Sequence, residues 1–274
     1  MVRNINEITL DYYDEVRYLL SSELRLKILR LLLESDMTLD DIKKYISKQD
    51  TNILRTLKEL QDLNLVETRD KTYMLTSTGY LASRNIMNVL DNWRIVTKYY
   101  RCFNYHSFKK FPIEYARYAF VLDESERITA TEEDYDKTRR LYREKIKDAT
   151  NLKIVLPIYS KQYFSYIMEV LKNNDAKLQL VTSRNIYDAI KNSTFWDDFK
   201  ELKKKGNIRL WVSEKDIHEI YLTLTDTYSA ISFFYQDETF DDATFFWEKE
   251  FKAKTMLEHL FQTYKHRKSI KEII

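Results

Sequence analysis

Between Thr38 and Thr76 the apolar positions change rhythm three times, and each rhythm predicts a different element. Leu39, Ile42 and Ile46 recur at helical spacing. Thr38 and Asp41 make a capping box at the start of that helix, with Asp where Glu or Gln is usual. Ser47-Lys48-Gln49-Asp50 is a short polar interruption. A second helix is predicted over about 51–63, with Ile53, Leu54, Leu57 and Leu60 on one face and Lys48, Thr51, Asn52, Arg55 and Glu59 on the other. Residues 65–69 and 72–76 then read as two strands joined by Asp70-Lys71, a hairpin with a basic tip. Helix, turn, helix and hairpin in this order predict a winged helix-turn-helix. A plain helical bundle with a solvated face would leave the hairpin unexplained.

The remaining pattern extends this unit on both sides. One helix is predicted over about 7–20, and a second begins at the cap Ser22. In that second helix Leu24, Ile28, Leu31 and Leu32 form a stripe, which Leu26, Leu29 and Leu33 widen, so its second side needs cover from the first helix or from another subunit. After the hairpin a long helix runs from Ser77 or Thr78 to about Phe103. Along it Ile86, Val89, Trp93, Val96 and Tyr100 follow at steps of three and four, the spacing of a two-chain seam. The same stripe is also compatible with packing inside one subunit.

From Asn104 onward strands and helices alternate. Strands are expected at 117–122, 153–158, 177–182 and 208–212, a hairpin at 219–225 and 228–235, and an edge strand at 243–247. Helices are expected from a Thr131/Asp134 cap to about 148, then at 160–173, 186–191, 195–205 and 250–267, with Gly206 as a C-terminal cap. The predicted class is a two-domain α+β and α/β protein. Residues 1–103 hold the winged helix and its linker helix, and residues 104–274 hold an α/β domain with a mixed sheet for effector sensing or oligomerisation.

Composition narrows the function. With 274 residues and 44% hydrophobic content the chain can bury two cores. Between Lys43 and Lys71 seven Lys or Arg face five acids, a mild basic excess for a nucleic-acid binder, so either the acids point away or a dimer doubles the contacts. Cys102 is the only cysteine, which excludes a disulfide framework and a thiolate metal cluster and suits a reducing compartment. The N-terminal residues lack the apolar stretch of a signal peptide, and no run reaches the length of a membrane span, so a cytoplasmic protein is expected. Two glycines and four histidines assemble no phosphate loop or Ser/His/Asp signature, so neither catalysis, cofactor nor metal is expected.

Arg and Asn make bidentate contacts to guanine and adenine edges, and such modules place them early in their second helix. The candidate DNA-binding residues are therefore Lys48, Thr51, Asn52, Arg55 and Lys58, joined by Arg69 and Lys71 on the hairpin. A small-molecule effector pocket is placed where parallel strands end, at Tyr159, Ser160, Ser183, Arg184, Asp226 and Tyr228. In that group Ser160 and Ser183 are equally suited to cap helices, and Asp226 to make a turn.

The segments SSELRLKILRLLL, TLDDIKKYI, NILRTLKELQDLNLVE and YMLTSTGYL, followed by HSFKKFPIEY, LKIVLPIYS, LQLVTS, IYLTLTDTYSAISFFYQDETFD and FWEKEFKAKTMLEHLFQTYKHRKS, resemble the archaeal methanogenesis or filamentation regulators. That family joins an ArsR-like winged helix to a C-terminal domain of its own. The resemblance implies a DNA-binding transcription regulator. Two departures stand out. The family's D-G-x-Y-D reads Asp237-Glu238-Thr239-Phe240-Asp241 here, without its glycine, which predicts a differently shaped turn. The Trp-Gly near the last helical turns is replaced, with Met256-Leu257 in that region. The second half is also similar in layout to phospholipase-D-type sheets, whose His-x-Lys needs an Asp after four more residues. Here His266 and Lys268 are followed by Ile273, so the motif fails. The sequence thus points to a homodimeric, sequence-specific regulator of transcription. A protein-interaction scaffold is the alternative, and a nucleic-acid phosphodiesterase a weaker one.

Overall fold

Ser22 sets the first register. Its side chain accepts from the Arg25 backbone N–H at 3.3 Å and starts α2 (Glu23–Glu34), which follows α1 (Tyr13–Leu20). Thr38 does the same for α3 (Leu39–Tyr45). Its hydroxyl accepts from Asp41 N–H at 3.2 Å while Asp41 accepts from the Thr38 N–H, the reciprocal box expected from the sequence. The computed structural model describes residues 13–108, 111–112, 125–248 and 251–273. It divides into two units, one ending at Asp91 and one beginning at Asn92.

In the first unit α4 (Asp50–Asp62) follows α3 after a four-residue turn region. Asn64, in the left-handed region at φ 56°, ends α4, and the Leu65 N–H returns to the Leu60 carbonyl at 2.9 Å. The hairpin is β2 (Val66–Arg69) with β3 (Thr72–Leu75), antiparallel, and its two turn residues Asp70 and Lys71 both have positive φ. A short strand β1 (Met37–Thr38), absent from the sequence reading, pairs with β3 to complete a three-stranded sheet. Ile28, Leu29, Leu32, Ile42, Ile53, Leu57 and Leu60 close the core. Truncating the enclosed Ile53 to Ala would cost about 2–5 kcal/mol through lost burial and the cavity left behind.

Gly79 lies where the hairpin meets the start of α5 (Ser77–Lys98). A Cβ there would stand 1.8 Å from the Leu65 carbonyl oxygen, so only glycine fits. Thr76 locks the corner, donating to the Asn64 carbonyl at 2.6 Å and accepting from the Gly79 N–H at 2.9 Å.

The expected helix to Phe103 stops earlier. α5 ends at Lys98, and after Tyr99 (φ −112°, ψ 22°) a separate α6 (Tyr100–Tyr105) begins. Neither Pro nor Gly marks the break. Tyr99 packs edge-on against Phe246 at 5.6 Å, and Tyr99, Cys102 and Phe103 turn into the second unit's core. Tertiary packing sets the kink.

Among the described residues the second unit holds an eight-stranded mixed sheet. Its strands are β4 (Glu126–Thr129), β5 (Asn151–Leu156), β6 (Lys177–Ser183), β7 (Ile208–Ser213), β8 (Ile220–Leu224), β9 (Ser229–Phe233), β10 (Thr244–Glu248) and β11 (Ile270–Ile273), in the order β11-β7-β6-β5-β8-β9-β10-β4. Among these described strands only β5, β6 and β7 run parallel. Their continuous apolar runs follow from cover on both faces: Leu152, Ile154 and Leu156 enter one core with Leu178, Leu180 and Leu210, whereas Val155, Val181 and Trp211 enter the other. After α6, the helices among the described residues are α7 (Lys137–Ile146), α8 (Lys161–Asn173), α9 (Arg184–Lys191), α10 (Trp196–Lys204) and α11 (Phe251–Lys265).

Some expectations need correcting. Thr131 and Asp134 form a turn and do not cap α7, which starts at Lys137 after Asp136. Asp134 is drawn instead into a two-bond contact with Arg140. β10 is not an edge, because β4 pairs along its outer side. The strand expected at 117–122 lies outside the described residues, as does the beginning of the helix expected at 7–20. Glu238, standing where the family has glycine, has φ 68°, so the turn keeps a left-handed residue without glycine. Its carboxylate meets His218 Nδ1 at 3.0 Å. No helix among the described residues is long and apolar enough to cross a membrane.

Candidate nucleic-acid interface

α4 buries Ile53, Thr56, Leu57 and Leu60 and turns Thr51, Asn52, Arg55 and Lys58 outward. Leu54, expected in the core, is 42% exposed and belongs to the outer face. Its place on the helix explains this. It lies at the edge nearest Gln61, whose side chain bonds Thr68 on β2 at 2.7 Å, and away from the centre of the apolar stripe. Thr56 is enclosed because its hydroxyl folds back to the Asn52 carbonyl at 2.9 Å, removing its demand for water.

Three of the five acids counted in this region lie beside candidate cations, against the expectation that the acids point away. Glu59 meets Arg55 at 3.1 Å, Asp62 meets Lys58 at 2.9 Å and Glu67 meets Arg69 at 2.7 Å. Lys43 pairs with Asp50 at 2.9 Å. The pairs with both partners exposed, Lys58–Asp62 and Arg69–Glu67, contribute about 0–1 kcal/mol each, so a phosphate can displace the acid at little expense. Lys48 is exposed beyond the end of α3, and Lys71 is exposed at the hairpin tip. A cleft of about 490 Å³ opens beside this face, lined by Arg25, Lys48, Asn52, Arg55 and Glu59 among others.

Sequence reasoning missed Arg25, an arginine that reads as a surface residue on α2. It is buried, with its guanidinium over the Tyr18 ring at 3.6 Å and its Nε donating to Glu59 at 3.0 Å. Burial works against ionisation of Glu59, but the bonds from Arg25 and Arg55 outweigh it and hold the carboxyl below its ordinary range.

Residues 13–93 match the N-terminal domain profile of the methanogenesis regulatory protein FilR1, and residues 136–267 match its middle domain profile. The chain belongs to the FilR1 family. No curated protein matches it. Among solved structures it is similar to TrmBL2, an archaeal chromatin protein whose structure was described as showing a novel mode of DNA binding. The identity is 12% and the TM-score 0.39, over 92% of this chain and 97% of that one. It is also similar to Nuc, a phospholipase D family member from Salmonella typhimurium, at 9% identity and TM-score 0.38 over 54% of this chain and 97% of that one. A third likeness is to the dimethyltransferase RosA from Streptomyces davawensis, at 11% identity and TM-score 0.26 over 74% and 64%. All three are distant likenesses of chain trace.

The six residues expected to form an effector pocket in this FilR1-family chain do not converge. Tyr159, Ser160, Ser183 and Arg184 lie at or just after the carboxyl ends of β5 and β6, as predicted. Asp226 and Tyr228 do not, because β8 runs antiparallel to β5 and brings Leu224 opposite Lys153 near the start of that strand. The two groups are separated by the length of β5, roughly 17 Å. Asp226 accepts from the Thr150 N–H at 2.7 Å, the Thr150 hydroxyl at 2.9 Å, and the Asn151 N–H and side chain at 3.1 Å each, an anchor for the β8–β9 turn. Lys145 Nζ sits 4.6 Å from the centre of the Tyr228 ring. At the other end Ser160 caps α8, and Arg184 pairs with Glu214 at 2.8 Å. Tyr159 packs against Phe164.

The seam residues divide as well. Ile86 packs into the first unit's core, whereas Val89, Trp93, Val96 and Tyr100 are exposed, Trp93 by 69%. The second unit also holds a pair the sequence did not suggest. Buried His106 meets buried Asp241 at 3.0 Å and contacts the Cys102 carbonyl at 2.6 Å through its other nitrogen. Its ring stacks on Tyr235. Among the described residues no three His, Cys, Asp or Glu side chains converge to hold a metal.

Proposed function

We propose that this member of the FilR1 family is a transcriptional regulator that reads duplex DNA in sequence-specific fashion. α4 lies in the major groove and the β2–β3 hairpin lies on the phosphate backbone. The observation that supports this best is the outward face of α4, where Thr51, Asn52, Arg55 and Lys58 lie together in a helix-turn-helix whose hairpin carries Lys71 at its tip. Thr51, Asn52 and Arg55 occupy the first turns, the part of a reading helix that meets base edges, while Lys48, Lys58, Arg69 and Lys71 serve the backbone.

In this reading the protein works as a homodimer that docks two reading helices on half-sites about one helical turn apart. The exposed stripe Val89, Trp93, Val96 and Tyr100 is the proposed contact between copies. The second unit senses an effector or joins subunits and carries out no catalysis.

Fluorescence anisotropy with the full chain tests the reading. The DNA upstream of its own gene should bind more tightly than a shuffled duplex, and the difference should persist as salt rises. Equal binding that collapses with salt would reduce the contact to a nonspecific one. No binding at low salt would overturn the reading.

A further inference from the structure

Glu59 is held between two guanidinium groups that face different surroundings. Its Oε2 accepts from Arg25 Nε at 3.0 Å, and its Oε1 accepts from Arg55 Nε at 3.1 Å. Arg25 is enclosed. Its guanidinium stacks on the Tyr18 ring and donates to the Tyr18 carbonyl, so α1 fixes Arg25 and Arg25 fixes Glu59. Arg55 is the open end of this chain, with its side chain 80% exposed.

The atom used by Arg55 is informative. A guanidinium presents five N–H donors in one plane, and the carboxylate occupies the Nε–H alone in this contact. The two terminal nitrogens remain as a fork whose spacing matches O6 and N7 of guanine. A free arginine gives up its rotamer entropy when it binds, whereas one already tethered has given up part of it. The carboxylate also repels phosphate. Arg55 therefore contributes less to nonspecific backbone attraction than a free cation would, and more to selection of a base.

We propose that Glu59, anchored by Arg25, is a positioning residue that aims the terminal fork of Arg55 at a guanine in the major groove. This rests on the reading of α4 as the DNA-reading helix. It adds a base identity and a residue, Glu59, that touches no base itself.

The test uses the full chain as wild type, Glu59→Gln and Arg55→Ala, on the duplex that wild type selects from a random pool. Each guanine of that duplex is replaced in turn by 7-deazaguanine, which lacks the N7 acceptor. Wild type should lose roughly ten-fold in affinity at one guanine. Glu59→Gln, which keeps the shape of the side chain, should lose that sensitivity as Arg55→Ala does, while binding a shuffled duplex at least as tightly as wild type. Retention of the full 7-deazaguanine penalty in Glu59→Gln would overturn the proposal. So would an equal loss on selected and shuffled duplexes, which would mark a merely structural role, or a selected sequence with no sensitive guanine. A wild type that binds no duplex at low salt would instead overturn the reading of α4, which keeps the two failures apart.

Discussion

Glu59 in the first unit and Asp241 in the second are both carboxylates held by cations, and they differ in what their partners can still do. Asp241 is fully enclosed with all its contacts made within the chain. Its Oδ2 meets His106, its Oδ1 accepts from the Ala243 N–H at 2.9 Å, and its carbonyl accepts from Ser232. Glu59 reaches the surface through Arg55, whose fork faces solvent. A closed pair can only hold the fold together. An open pair can take on a ligand through donors it has not used, while the contact that holds it stays in place.

Removing Asp241 should have the largest effect of any change to either carboxylate. Asp241→Ala leaves His106 buried without its partner and should destabilise the second unit by about 3–5 kcal/mol in urea unfolding. A loss under 1 kcal/mol would mean that the enclosed pair is no more structural than the exposed one.

The pair should also give stability a pH dependence. Burial alone would push His106 down, but its bonds to Asp241 and Cys102 outweigh this and hold it up to about 10, above its ordinary 6.5. Asp241 is depressed below 3.8, again with burial outweighed by the His106 contact. A raised histidine contributes fully below its unfolded value and loses its contribution as pH rises from there through about 10. A depressed aspartate contributes fully above 3.8 and loses its contribution as pH falls. Denaturant midpoints should therefore decline from neutral pH toward about 10 in wild type, and His106→Gln should flatten that decline. An unchanged slope in His106→Gln would place the titration elsewhere.

Arg55→Ala probes the open side. It should lower affinity for the selected duplex by roughly 1–3 kcal/mol and relax preference at one base, with no change in the urea midpoint of either unit. Equal binding to all sequences, as tight as wild type's, would remove Arg55 from the reading face.

Much of this was legible because it is local. The Thr38/Asp41 box, the outward Thr51, Asn52 and Arg55, the Asp70-Lys71 turn and the alternation of strands with helices after Asn151 depend on residues a few positions apart. What was misread depends on partners distant in sequence. β1 exists because β3 pairs with it, β10 is interior because β4 covers it, and α5 stops at Lys98 because Tyr99 and Cys102 face a core. The expected pocket failed for the same reason. Turn chemistry identified Asp226 correctly as a turn residue, but its end of the sheet depends on β8 running antiparallel to β5. Arg25 and His106 were passed over because arginine and histidine read as surface residues until a buried carboxylate or carbonyl is found beside them.

The smallest expected effect is the finest test of open against closed. Lys71 and Glu238 both have positive φ without being glycine, at 64° and 68°. Glycine adopts this conformation without steric conflict, so Lys71→Gly and Glu238→Gly should each raise the melting temperature by a few degrees or leave it level. Their other consequences should part. Glu238 is bonded to His218 within the second unit, and its replacement should not change DNA binding. Lys71 is at the tip of a two-residue turn where glycine is the relaxed choice, so its cationic side chain is retained at a conformational cost. Lys71→Gly should weaken binding evenly across sequences and reduce the salt slope by about one. Were the slope unchanged, the hairpin would not touch phosphate, and Lys71 would be a strained turn residue with no part in the open surface.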